Sequence, residues 1–262
     1  MNILQSIILG IVQGFTEFLP VSSSGHLVLF QNIFGITEVP LFYDIMLHVG
    51  TLVAVVIVLW VEIKGLICHP VKNKLGMLIL ATVPAVVATL FLGDFFVDAY
   101  SGQYLAYGFF GTAIILTVSE LIARRIEAKK SHVALPSAMV MGVMQAVAIL
   151  PGVSRSGSTI SGGLFMGIDR TKAARFAFLM SIPAILGSVV FGAKDVVENG
   201  MGDVSILSVV IGTVVAAVCG FLAIKFMLNM ISKMKLYGFA IYVAALGAFV
   251  LLDQTVFHLI FA

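Results

Sequence analysis

The sequence predicts an all-α polytopic membrane protein built from two inverted-topology repeats. Each repeat is a re-entrant helical hairpin followed by three transmembrane helices, giving six spans and two hairpins. Three observations carry this: composition, an internal repeat and the placement of charge. Of 262 residues, 60% are hydrophobic and 11% charged, and the mean hydropathy is +1.13. A soluble domain carries about 25% charged residues. Apolar runs of about 20 residues, enough for a helix to cross a bilayer core, recur along the whole chain. The formal net charge of +2 says little by itself, because position matters more than sum here.

The repeat sets the domain organisation. "GIVQGFTEFLPVSSSGH" from Gly10 resembles "GVMQAVAILPGVSRSGS" from Gly142, and the pairs Gly10/Gly142, Gln13/Gln145 and Gly25/Gly157 share one offset. "MLHVGTLVAVV" from Met46 aligns with "LMSIPAILGSVV" from Leu179, and Val83, Ala85 and Val86 align with Val215, Ala217 and Val218. A steady offset near half the chain length reads as duplication. Residues 1–262 form one membrane domain, with 1–131 the first repeat and 132–262 the second, inverted one.

Each half opens with two short apolar pieces broken by Pro, Gly and Ser: 3–19 with 26–35 around Pro20 to Gly25, and 136–150 with 156–168 around Pro151 to Gly157. Such breaks leave backbone groups unpaired in lipid and are tolerated only inside protein or beside a wet cavity. Each pair is therefore read as a hairpin that returns to its own side. The full spans follow at 41–61, 76–93 and 104–123, then 174–193, 205–228 and 237–258. The start, "MNILQSIILG", lacks a basic n-region and a small-residue cleavage site, so it reads as mature structure. Cys68 and Cys219 suggest neither a metal pair nor a disulfide.

Charge fixes the sidedness. Four loops are basic: Lys64, Lys72 and Lys74; Arg124, Arg125, Lys129 and Lys130; Arg170, Lys172 and Arg175; Lys225, Lys233 and Lys235. The others carry Glu38, Asp94, Asp98, Asp195, Glu198 and Asp203, with Lys194 their one cation. By the positive-inside rule the basic loops are cytoplasmic. An odd number of spans per repeat then forces inversion, and the hairpins enter from opposite faces. Repeats of this kind place a site near the midplane where the breaks meet.

The two tips supply the polar groups. One offers Glu17, Ser22, Ser23, Ser24 and His26; the other offers Ser154, Arg155, Ser156, Ser158 and Thr159. Arg155 alone among 15 Lys and Arg residues falls away from a predicted interface, so it needs a partner or water. Glu17 and an anionic ligand both suit it. A guanidinium, hydroxyls and a helix N-terminus together make phosphate-binding chemistry. His26 follows Ser23 by three residues and shares its helical face, so the imidazole can serve a hydroxyl nucleophile. Gln13 and Glu17 share a face at i and i+4, a thin ligand set for a hard cation. Simpler roles are expected elsewhere: Ser22 and Ser24 as helix caps, Asp44 and His48 as structural groups of the first span, and Glu120 as a snorkelling surface carboxylate. The Met and Phe residues are read as lipid-facing or core packing. No nucleotide loop, Cys/His metal spacing or basic stripe for nucleic acid is present.

"EFLPVSSSGH" and "PGVSRSGSTISGG", with "LHVGTLVAVV", "VPAVV" and "IPAILG" in weaker form, resemble the undecaprenyl-diphosphate phosphatase family of integral membrane proteins, also called bacitracin-resistance protein. The resemblance covers most of the chain. It implies hydrolysis of a polyprenyl diphosphate lipid in a bacterial inner membrane, at a site open to the extracytoplasmic side. That reaction recycles the carrier lipid for cell-wall synthesis and gives bacitracin resistance. Carried over by position, the acidic motif falls on Gln13 and Glu17, the serine/histidine motif on Ser23 and His26, and the arginine motif on Ser154, Arg155, Ser156, Gly157 and Thr159. Ser23, His26, Glu17 and Arg155 are then the expected catalytic residues, with either Ser23 or His26 as nucleophile; Gln13, Ser154, Ser156, Gly157 and Thr159 are expected to bind substrate. The family implies a divalent cation, Mg2+ or Ca2+, with Glu17 its candidate ligand; where other members carry Glu, this chain has Gln13. A homodimer is left open. The competing function is a transporter or flippase of lipid phosphates using the same midplane site.

Overall fold

The computed structural model describes residues 1–36, 40–69, 75–99, 102–126, 132–200, 202 and 204–261, with side chains except at 92–99, 195 and 199. The loop charges Glu38, Lys72, Lys74, Lys129, Lys130 and Asp203 lie outside the described residues, as do the side chains of Asp94, Asp98 and Asp195. The described chain is helical: α1 Ile3–Phe18, α2 Ser23–Ile33, α3 Leu41–Val58, α4 Trp60–Cys68, α5 Leu75–Ala99, α6 Leu105–Arg125, α7 Leu135–Val147, α8 Arg155–Phe165, α9 Arg170–Asn199, α10 Ile206–Met230 and α11 Tyr237–Leu252, closed by a π-helical turn, Asp253–Phe257. Five described helical stretches are long and apolar enough to cross a membrane, those of α3, α6, α9, α10 and α11 with the π turn. Residues Leu75–Phe91 of α5 form a shorter apolar stretch, as do α1 and α7. The chain is a multi-pass membrane protein.

Local chemistry sets the element ends. Asn2 and Gln5 form a reciprocal capping box that starts α1, and Asp169 accepts the Thr171 and Lys172 amides to start α9. The predicted run 41–61 instead breaks at Leu59, whose backbone (φ −102°, ψ 23°) leaves the helical region, so Trp60 begins the separate α4. Pro84 and Pro183 sit inside α5 and α9, each removing one backbone bond to the preceding turn.

Packing exchanges the halves. α10 takes α1 and α3 against it, while α5 takes α7 and α9; α6 lies on α11 and α3 on α9. Glycine permits the closest approaches. A Cβ on Gly10 would stand 2.7 Å from the Gly212 carbonyl oxygen, and one on Gly142 would strike the Ala81 carbonyl. Small residues at these crossings are how membrane helices gain van der Waals contact, since lipid offers no hydrophobic drive between them. Phe18, Phe109 and Phe178 fill the interior, while Phe91 and Phe191 are exposed, which divides the phenylalanines between core and perimeter.

Polar ties gather the chain at two ends. At one, Glu62 pairs with Arg175, Glu120 with Arg170, and Arg124 lies 5.0 Å from the centre of the Tyr237 ring. At the other, Gln254 donates to the Gly102 carbonyl across 2.8 Å, and Gly202 approaches Pro40. Glu120 corrects an expectation. It is fully buried: its oxygens accept from both terminal nitrogens of Arg170 at 2.6 and 2.7 Å and from the Leu236 amide at 2.7 Å. A carboxylate near a helix end snorkels only when water is its best partner; here a two-pronged guanidinium and an unpaired helix-start amide replace water.

Removing that carboxylate strands both partners. We expect Glu120→Ala to cost about 3 kcal/mol, the low end for breaking a buried pair, read as a lower unfolding midpoint of the detergent-solubilised protein. Glu120→Gln should lose less, because an amide oxygen can still accept from Leu236.

Candidate active site

The two helix breaks are built alike. Ser22 caps α2, its Oγ accepting the Gly25 amide at 3.3 Å, and Ser154 caps α8, its Oγ accepting the Gly157 amide at 3.1 Å. These caps and their donors occupy equivalent positions in the repeat. Ser22 therefore has the expected capping role, although its φ of +73° is unusual for a residue with a side chain and holds the tip in a strained turn. The next residue in each case, Ser23 or Arg155, is the first of its helix.

The tips meet, with α6 beneath the second. Ser156 Oγ donates to the Leu19 carbonyl at 2.9 Å. Thr112 Oγ1 donates to the Gly152 carbonyl at 2.8 Å and accepts from the Ser154 amide at 2.9 Å. Gly108 faces the Pro151 carbonyl with no room for a Cβ. Break carbonyls that lipid could not satisfy are thus met by side chains.

Glu17 joins the halves. Its side chain is 2% exposed, and Oε1 pairs with Arg155. Oε2 accepts the Ser23 hydroxyl at 2.5 Å and the Gln13 amide at 3.2 Å. Glu17, Ser23 and Arg155 line a cavity of about 370 Å³, whose walls include Val86, Leu90, Ile149, Ile185 and Phe191. The arrangement places a hydroxyl on a carboxylate, beside a guanidinium, in a cavity with largely apolar walls.

His26 stands elsewhere. Its Nδ1 donates to the Ser22 carbonyl at 2.7 Å, which leaves Nε2 to accept the Tyr242 hydroxyl at 2.8 Å. The ring stacks on Tyr242 at 5.7 Å between centres and meets Phe109 edge-on at 5.6 Å. Sharing a face with Ser23 does not bring the imidazole to the hydroxyl, because the Ser22 carbonyl and the Tyr242 hydroxyl take both ring nitrogens.

The expected substrate-binding group also divides. Ser154 and Gly157 are joined in the cap, Ser156 ties the tips, and Thr159 Oγ1 donates back to the Arg155 carbonyl at 2.8 Å. Gln13 supports Glu17, while its own Oε1 is buried without a partner. Three residues that motif reading left outside the site line the cavity: Ser24, His48 and Gln145. His48 Nδ1 donates to the Asp44 carbonyl at 2.8 Å, so a bare Nε2 remains. Gln145 had a readable signal, its place in the repeat as the counterpart of Gln13.

For a divalent cation the fit is poor. Both Glu17 oxygens already accept, Arg155 supplies the neighbouring positive charge, and no group of three His, Cys, Asp or Glu side chains suited to a metal stands among the described residues. A hard cation takes six or more oxygens, more than this end of the cavity offers without the substrate's own.

The sequence falls within a known family. The profile described as bacitracin resistance protein BacA matches residues 6–249. An undecaprenyl-diphosphatase of Carboxydothermus hydrogenoformans is 44% identical, over 97% of this chain and 98% of its own. One of Halothermothrix orenii is 38% identical over 98% and 100%, and undecaprenyl-diphosphatase 4 of Bacillus thuringiensis subsp. konkukian is 40% identical over 97% and 98%. Similarity running through both tips and nearly end to end leaves one conclusion: the chain belongs to the bacitracin resistance protein BacA family.

Proposed function

We propose that this chain hydrolyses undecaprenyl diphosphate to undecaprenyl phosphate and inorganic phosphate, renewing the carrier lipid of cell-wall synthesis and conferring bacitracin resistance. The observation that carries the reading is the Ser23 hydroxyl held on Glu17, with Arg155 on the same carboxylate, in a largely apolar cavity. The lipid lies along the apolar wall and presents its terminal phosphoryl group to the tips. Arg155 passes from Glu17 to the phosphate, a better two-pronged partner. Glu17, released from the guanidinium, accepts the Ser23 proton as Oγ attacks phosphorus. The bridging P–O bond breaks, and undecaprenyl phosphate leaves. Water then cleaves the phosphoserine, and Ser23 recovers its proton.

Arg155 and the amides opening α8 carry the charge stabilisation. His26, read from sequence as the acid/base, serves here as a positioning group: through Tyr242 it fixes the turn from which Ser23 projects. A divalent cation, Mg2+ or Ca2+, would need ligands beyond Glu17, and the oxygens of a diphosphate would supply them. A transporter would need the anion site alone; the carboxylate on the Ser23 hydroxyl favours chemistry.

The exchange of partners between α10 and α5 supports the inverted duplication, 1–131 against 132–262, with α1–α2 and α7–α8 as opposed re-entrant hairpins and α5 as the sixth span. The end holding Glu62, Arg124, Arg170 and Leu236 is then cytoplasmic. The cavity wall at Thr89, Leu90, Ser188 and Phe191 runs toward the opposite, extracytoplasmic end of a bacterial plasma membrane.

Two experiments test these readings. Purified Ser23→Ala should release no phosphate from undecaprenyl diphosphate, Arg155→Lys should lose about 10²–10³ in rate, and Ser24→Ala should turn over normally. Ser23→Ala within tenfold of the parent would move the nucleophile to His26. For the topology, Gly102→Cys and Lys130→Cys, each with Cys68 and Cys219 replaced, should label with an impermeant thiol reagent from opposite faces. Labelling of both from outside intact cells would end the inverted arrangement.

A further inference from the structure

We infer that Gln145 is a substrate-binding residue that holds the lipid-linked phosphate, the one that leaves with the polyprenyl chain. The inference rests on reading the cavity as the active site. Gln145 lies on α7 and is 2% exposed; its Nε2 and Oε1 both lack a hydrogen-bond partner, and it lines the cavity that holds Glu17, Ser23 and Arg155. Leaving both ends of a buried amide unmet is costly, and such groups in folded proteins call for a ligand.

The repeat explains why this amide is left unmet. Gln13, its counterpart in the first half, donates to Glu17 one helical turn on at 3.2 Å. The counterpart of Glu17 is Ile149, whose hydrocarbon side chain offers an amide no acceptor. The amide that completes the first tip therefore faces the cavity from the second. A diphosphate brings two phosphates to this space. Ser23 and Arg155 engage the terminal one, while the apolar wall takes the chain. The linked phosphate lies between these regions, where the Gln145 amide hydrogens can donate to its non-bridging oxygens. The contact persists in the product, so Gln145 sets affinity for diphosphate and monophosphate together.

The test is steady-state kinetics of detergent-solubilised Gln145→Leu on undecaprenyl diphosphate, with inhibition by undecaprenyl phosphate and thermal unfolding measured alongside. Leucine keeps the volume and removes the unmet amide, so the unfolding midpoint should stay level or rise. KM and the product inhibition constant should each rise about tenfold or more, with kcat changing less. Gln145→Glu should raise both constants further, because its charge repels the phosphate. A folded Gln145→Leu enzyme with the parent's KM and inhibition constant overturns the inference. Failure of both variants to fold does so as well, since the amide would then be a structural group. Near-normal turnover of Arg155→Lys is a separate result that would sink the site assignment instead.

Discussion

No backbone amide or carbonyl can stay unpaired in hydrocarbon, yet this chain carries two Pro- and Ser-bearing helix breaks amid its apolar runs. Much of the architecture answers that constraint. The break carbonyls at Leu19 and Gly152 are met by Ser156 and Thr112, and the Gly25 and Gly157 amides near the starts of α2 and α8 are met by Ser22 and Ser154. Gly108 lets α6 press on the second break, and the Phe109 ring closes on Gly25 of the first helix start. The Glu17–Arg155 pair belongs to the same solution. An isolated guanidinium at this depth would be expensive, and its carboxylate partner costs least when both charges also serve as hydrogen-bond partners. Ser23 and Gln13 supply those further bonds.

Sequence reached most of this because both constraints are local. A Pro- and Ser-rich interruption of an apolar run marks a break, whatever packs on it, and α1, α2, α7 and α8 fall close to the predicted hairpin pieces. The Arg155 guanidinium similarly required Glu17 or an anion from its position alone. Tertiary partners were beyond reach. Nothing near His26 points to Tyr242, far along the chain, which draws the imidazole away from Ser23. Glu120 looked exposed because Arg170 and the Leu236 amide come from distant segments. The end of α3 at Leu59 has no Gly or Pro to announce it.

The proposed duplication also accounts for the catalytic asymmetry. Counterpart positions carry different chemistry on one backbone plan: Ser23 answers to Arg155, Glu17 to Ile149 and His26 to Ser158, every pair at the same repeat offset. Two equal tips could present two serines or two arginines. On this proposal divergence places the proposed nucleophile, Ser23, at the first position of one helix and the proposed anion clamp, Arg155, at the first position of the other, where helix-start N–H groups favour phosphate. Opposing the tips brings both to one carboxylate.

That geometry makes the resting site self-neutralising. Without substrate, Arg155 holds Glu17 and the charges balance in a poorly solvated space. In the proposed reaction a diphosphate offers the guanidinium more negative charge than the carboxylate does, so its arrival exchanges one ion pair for another and leaves Glu17 with the Ser23 and Gln13 hydrogen bonds alone. On that proposal the exchange frees Glu17 to take the Ser23 proton. A monophosphate has less charge and one phosphorus fewer to span the space between tip and apolar wall. On the proposed mechanism, selection for diphosphate follows from the strength of the Glu17–Arg155 pair that the substrate must displace.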